Sequence, residues 1–91
     1  MNLISINTLM AEIQDKSVTV DISFKLCFSG CIIEYKSLDT LVKDMSLILR
    51  NNDINHLNSF NIDITSILSI SKLNSCSYKI DTEDCVITIS L

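Results

Sequence analysis

The sequence predicts an α+β protein: an antiparallel sheet of four to five strands with two helices, or three counting a short segment, packed on one face. Three observations point there. Residues 18–28 alternate apolar and polar without a break, residues 38–49 carry an apolar stripe at helical spacing, and residues 76–91 read as two alternating runs around an acidic tetrapeptide. The expected order is α-β-β-α-(β)-(α)-β-β, in one domain spanning residues 1–91. With 47% hydrophobic residues the chain has the material for one modest core, and its composition argues against intrinsic disorder.

The first element is a helix starting near residue 5 or 7 and ending at 15. Leu3, Ile6, Leu9, Met10 and Ile13 fall on one face, and Ser5 or Asn7 can cap the start by accepting an orphan backbone N–H. Val18, Val20, Ile22, Phe24, Leu26 and Phe28 then form one face of a long strand. Ser29-Gly30 reads as a two-residue turn with glycine supplying a positive φ. That turn pairs Phe28 with Cys31, Leu26 with Ile33, Phe24 with Tyr35, and Lys25 with Glu34 on the opposite face. In this register Cys31 points into the apolar face and Cys27 away from it, so the pair can neither share a metal nor bond to each other. Their spacing also differs from that of CxxC redox and zinc sites.

Ser37 caps a second expected helix over residues 37–52, with Leu38, Leu41, Val42, Met45, Ile48 and Leu49 as its apolar stripe. Asn51-Asn52-Asp53 ends it. Residues 59–64 read as a strand from the alternation of Phe60, Ile62 and Ile64, and residues 65–72 as a short helix. The C-terminal hairpin has a four-residue loop, Asp81-Thr82-Glu83-Asp84, setting Ile80 opposite Cys85, Tyr78 opposite Ile87 and Cys76 opposite Ile89. Cys76 and Cys85 then lie on one face but out of disulfide register. The strand runs to Leu91.

The chemistry is sparse. His56 is the single histidine and Gly30 the single glycine, which leaves no GxSxG elbow, dinucleotide fingerprint or phosphate loop. Asp53 and His56 are the nearest approach to a metal-ligand pair, and no calcium-loop pattern occurs, so no catalytic residue, metal or cofactor is expected. A net charge of −4 with lysines scattered at 16, 25, 36, 43, 72 and 79 argues against direct nucleic-acid binding. No apolar run reaches membrane-spanning length, and the N-terminus has no signal-peptide pattern, so a cytoplasmic protein with reduced thiols is expected. One alanine and one arginine against abundant Ile, Asn, Ser and Lys point to an AT-rich genome, as in a phage or mobile element of a low-GC host. Asp81, Glu83 and Asp84 form the densest acidic patch and are the candidate partner-binding residues, carboxylates that would enter a basic groove on another protein.

The segment INTLMAEIQDKSVTV, residues 6–20, resembles the opening helix and first strand of a family of small phage-encoded anti-CRISPR proteins. The resemblance implies an acidic α+β protein that binds a CRISPR-Cas effector nuclease and blocks its recognition of the DNA motif beside the target. The expected function is therefore a non-enzymatic inhibitor of a host defence nuclease. The alternative is a homo-oligomeric structural or assembly subunit that pairs with itself through an exposed strand or face.

Overall fold

In the computed structural model, which describes residues 2–52 and 59–91, the longest alternating run does form a strand, β2 (Val18–Phe24). It is preceded by a two-residue β1 (Asn2–Leu3) and helix α1 (Ile6–Ile13). Ser5 caps that helix, its hydroxyl accepting the N–H of Thr8 at 3.1 Å, and Leu9 and Ile13 turn inward as the spacing requires. Beyond it the described residues are almost entirely β: β3 (Gly30–Tyr35), β4 (Leu38–Lys43), β5 (Ser46–Asn51), β6 (Phe60–Asp63), β7 (Ile67–Asn74), β8 (Ser77–Thr82) and β9 (Cys85–Ser90). Two antiparallel sheets result, one of six strands ordered β1-β7-β8-β9-β2-β3 and one of three ordered β4-β5-β6.

This overturns the expected α+β layout. The segment 37–52 is a hairpin, not a helix. Thr40 pairs with Leu49 and Val42 with Leu47 around a two-residue turn, Asp44-Met45, in which both residues have positive φ (52° and 62°). The same residues satisfy both periods: Leu38, Thr40, Leu47 and Leu49 go inside, while Val42 and Met45 of the helical stripe stand about half exposed. Neither turn residue is a glycine, so the sequence carried no turn signal there. Residues 65–72 likewise are not a helix. A single 3-10 turn, Ile64–Ser66, leads into β7, whose Ile70 and Lys72 pair with Ile80 and Tyr78.

Two hairpins form in shifted registers. In the first, Ile22 faces Cys31, Val20 faces Ile33 and Val18 faces Tyr35, six residues from the expected pairing. Residues 25–29 therefore leave the ladder as a loop, and Cys31 is exposed instead of buried. Gly30 has no positive φ; it is required because a Cβ there would sit 2.3 Å from the Ile22 carbonyl oxygen. In the second hairpin Ile80 faces Ile87 and Tyr78 faces Ile89, two residues tighter than expected, with Glu83-Asp84 as the turn. Cys76 falls in the β7–β8 turn, and Leu91 lies past the end of β9. Both shifts are even, so the residues that stay paired keep their side of the sheet while their partners change.

One face of the six-stranded sheet is covered by α1 and the three-stranded sheet. Val20, Ile22, Tyr78, Ile80, Ile87 and Ile89 meet Leu9, Ile13, Leu38, Leu47, Leu49 and Ile62 in one core. Each such side chain contributes about 1.5–3 kcal/mol of burial. The other face carries Thr19, Asp21, Lys79 and Thr88 in cross-strand rows and faces solvent. Lys72 bonds Glu12 at 2.6 Å, tying α1 to β7, and that bond is the main cause raising the Lys72 pKa. Among the described residues no helix is long and apolar enough to cross a membrane.

Candidate protein-contact surface

The pairing of β2 with β9 sets Phe24 opposite Cys85. The loop 25–29, which follows Phe24, therefore emerges beside the Glu83-Asp84 turn, which precedes Cys85. A backbone bond joins the two, the Lys25 N–H donating to the Asp84 carbonyl at 2.9 Å, and the Glu83 N–H ties the turn to the 3-10 segment by donating to the Ser66 carbonyl at 3.0 Å. Thr82, buried beneath the turn, accepts the N–H groups of Asp84 (3.2 Å) and Cys85 (3.0 Å) on its hydroxyl and donates to the Cys85 carbonyl (3.0 Å). A tight turn held on three sides presents its side chains in fixed positions.

The expected acidic trio divides. Glu83 and Asp84 are exposed at the tip of the turn. Asp81 lies within β8 opposite Val86, and its carboxylate pairs with the Lys25 ammonium at 2.8 Å. Lys25 also donates to the Thr82 carbonyl, so the expected Lys25–Glu34 pair does not form. Two carboxylates, not three, are left for a partner.

Beside them stands a feature the sequence hid. Leu26 is 93% exposed and Phe28 fully exposed (114% of its reference area), on either side of Cys27, whose sulfur lies 2.9 Å from the Ser29 hydroxyl. Continuous alternation through residue 28 read these two as strand core. The clue was the length of that run, eleven residues, against a partner strand of six, Gly30–Tyr35. Single exposed apolar side chains are common on protein surfaces, but two large ones this fully exposed and two residues apart on one loop form a cluster of the kind that marks contact sites. Between the root of this loop and β6 the two sheets part, leaving a cleft of about 240 Å³ floored by Phe24, Phe60, Ile62 and Ile87, with Asp63 and Asp84 also among its walls.

No other chemistry gathers here. All four cysteines are free: Cys27, Cys31 and Cys76 exposed, Cys85 buried against Thr82. Among the described residues no group of three or more His, Cys, Asp or Glu side chains is placed to hold a metal. His56 and Asp53 lie outside the described residues. The perturbed phenols belong to the core. Burial, with a smaller push from Cys31, raises Tyr35 to about 12, and its hydroxyl reaches the Leu49 carbonyl at 3.4 Å; burial also raises Tyr78.

Compared with known protein families, curated proteins and solved structures, the chain matches none.

Proposed function

We propose that the chain is a small non-enzymatic inhibitor that binds a host protein, with the loop 25–29 and the Glu83-Asp84 turn as its contact surface. The observation that carries this reading is the exposure of Leu26 and Phe28 on a loop backed by a rigid acidic turn. Apolar anchors surrounded by charge are the usual anatomy of a binding hot spot, the anchor filling a pocket and the rim excluding water. The complementary site is an apolar pocket with a basic rim. Nucleases that hold nucleic acid in basic channels offer such rims, and the resemblance of residues 6–20 to anti-CRISPR proteins supports a CRISPR-Cas effector nuclease in the host cytoplasm as the partner.

The test is target-DNA cleavage by a purified CRISPR-Cas effector from a low-GC host, titrated with the chain. Cleavage should stop near stoichiometric addition. The double variant Leu26→Ser/Phe28→Ser should need at least about 30-fold more protein, the equivalent of one hot spot of about 2 kcal/mol. Glu83→Lys/Asp84→Lys should weaken inhibition, and added salt should partly restore it by screening the repulsion between the new lysines and the basic rim. Undiminished cleavage at tenfold molar excess refutes the nuclease reading, and full potency in the Leu26→Ser/Phe28→Ser variant refutes the surface.

A further inference from the structure

Among the described residues, the sheet edges are guarded at all but one place. The β7 edge is covered by β1, by the Ile4 N–H bonded to the Ile70 carbonyl at 2.9 Å, and by register irregularities at both ends. The outer edge of β4 is met by Asp15, whose N–H donates to the Leu38 carbonyl at 2.7 Å. Further along, the Gln14 side chain accepts the Thr40 N–H at 2.9 Å. β6 is only four residues long and ends in Asp63. β3 has none of these devices: six residues with no proline, no bulge in its pairing with β2, and the run Cys31-Ile32-Ile33 at its centre. Among the described residues it pairs with β2 alone.

The hydrogen-bond phase shows which groups are left over. The Phe24 N–H donates to the Ser29 carbonyl at 3.1 Å, so the bonded pairs of this ladder include Ile22–Cys31, Val20–Ile33 and Val18–Tyr35. The pairs Ser23–Gly30, Asp21–Ile32 and Thr19–Glu34 are the non-bonded ones. The N–H and C=O groups of Gly30, Ile32 and Glu34 therefore point away from β2, toward the open edge.

We infer that this edge pairs with the β3 edge of a second copy of the chain, antiparallel, across a dyad at Ile32. The register is self-complementary. Gly30 and Glu34 of each copy exchange bonds with Glu34 and Gly30 of the other, and the two Ile32 residues exchange bonds with each other. All three free donors and all three free acceptors on each edge are satisfied at once. On the solvent face the two Ile32 side chains, each 65% exposed alone, cover one another. On the core face Cys31 lies opposite Ile33. Neighbouring two-fold registers are worse: a dyad at Glu34 opposes like charges, and one at Ile33 sets Ile32 against Glu34. The product is a continuous twelve-stranded sheet whose dyad sends the two 25–29 loops in opposite directions, making a two-headed molecule. This pairing uses none of Leu26, Phe28, Glu83 or Asp84, so it stands or falls apart from the inhibitor reading.

Sedimentation equilibrium of the full chain across micromolar concentrations should show a monomer–dimer equilibrium. Ile32→Lys should weaken dimerisation at least tenfold with an unchanged circular-dichroism spectrum, since Ile32 is exposed and its N–H is not used by β2. A second experiment reads the register. In a chain with Cys27, Cys31 and Cys76 changed to Ser, Ile32→Cys should form a disulfide dimer on mild oxidation, because facing Cα atoms in a bonded pair lie about 5.5 Å apart. Glu34→Cys should not, its copies being about 14 Å apart along the strands. A monomer at every concentration, a dimer insensitive to Ile32→Lys, or preferential cross-linking at position 34 would each overturn the inference.

Discussion

Removing the Gln14 amide should destabilise the fold by orphaning a poorly hydrated backbone N–H on β4. Gln14 ends α1, its own N–H donating to the Met10 carbonyl at 3.0 Å. Its side chain then crosses to β4. Oε1 accepts the Thr40 N–H at 2.9 Å and the Thr40 hydroxyl at 2.8 Å, and Nε2 donates to Asp39 Oδ1 at 3.0 Å. Thr40 is 9% exposed, so water reaches its N–H poorly once the amide is gone. An orphaned buried donor costs about 1–3 kcal/mol, whereas the hydroxyl can rotate and Asp39 keeps its Arg50 partner at 2.9 Å. The expected loss for Gln14→Ala is therefore about 2–3 kcal/mol. At about 4–8 °C per kcal/mol for a chain of this size, Tm falls by roughly 10–20 °C. Gln14→Met, which restores length and apolar contact without an acceptor, should lose nearly as much. Urea unfolding with an unchanged m-value gives the magnitude, and amide exchange at Thr40 should accelerate in both variants. A loss under about 0.5 kcal/mol in Gln14→Ala, or full recovery in Gln14→Met, refutes the hydrogen-bond argument in favour of packing.

Two further outcomes follow from backbone strain and from burial. Met45 holds φ 62° with its side chain 59% exposed, so Met45→Gly should relieve left-handed strain while losing little packing. A gain of about 1 kcal/mol, read as a raised Tm, is expected; a lowered Tm would contradict the turn geometry. The phenol of Tyr35 ionises near 12 in the folded protein and near 10 when unfolded. Its contribution to stability is then fully present below about pH 10 and lost as pH rises toward 12, because only the unfolded chain releases that proton in between. Absorbance titration of the native protein at 295 nm should find Tyr35 still protonated at pH 11, and a native phenol titrating at its ordinary value would refute the burial.

Where a segment's own period allowed one solution, the sequence was sufficient. The stripe Leu9–Ile13 with Ser5 before it makes a helix, and the alternating runs 18–28, 59–64 and 76–91 each contain strands, with Val18, Val20, Ile22, Ile62, Tyr78, Ile80, Ile87 and Ile89 inward as expected but Phe24, Leu26, Phe28 and Leu91 not. What alternation cannot supply is the partner. A period of two is unchanged by sliding a strand two or six residues, so the first hairpin's loop and its exposed Leu26 and Phe28 were decided by β9. That strand pairs along β2 and stops at Phe24. Of the candidate site, the Glu83-Asp84 turn was legible as an acidic hairpin tip. The diversion of Asp81 to Lys25 and the apolar loop beside it were not.

The residues 37–52 mark the division most clearly. Leu38, Leu41, Val42, Met45, Ile48 and Leu49 fit a helical stripe, and Leu38, Thr40, Leu47 and Leu49 fit the inner face of a hairpin equally well. Local propensity differs by fractions of a kcal/mol per residue between the two, so the choice passes to tertiary contacts. The hairpin gives β6 a strand to pair with and gives the Gln14 amide and the Asp15 N–H an edge to bond, which a helix at that place could not. Composition and period alone determined that this chain folds around one apolar core with strands facing it. Long-range pairing decided how many strands there are, which edge is left open, and which apolar side chains stay outside.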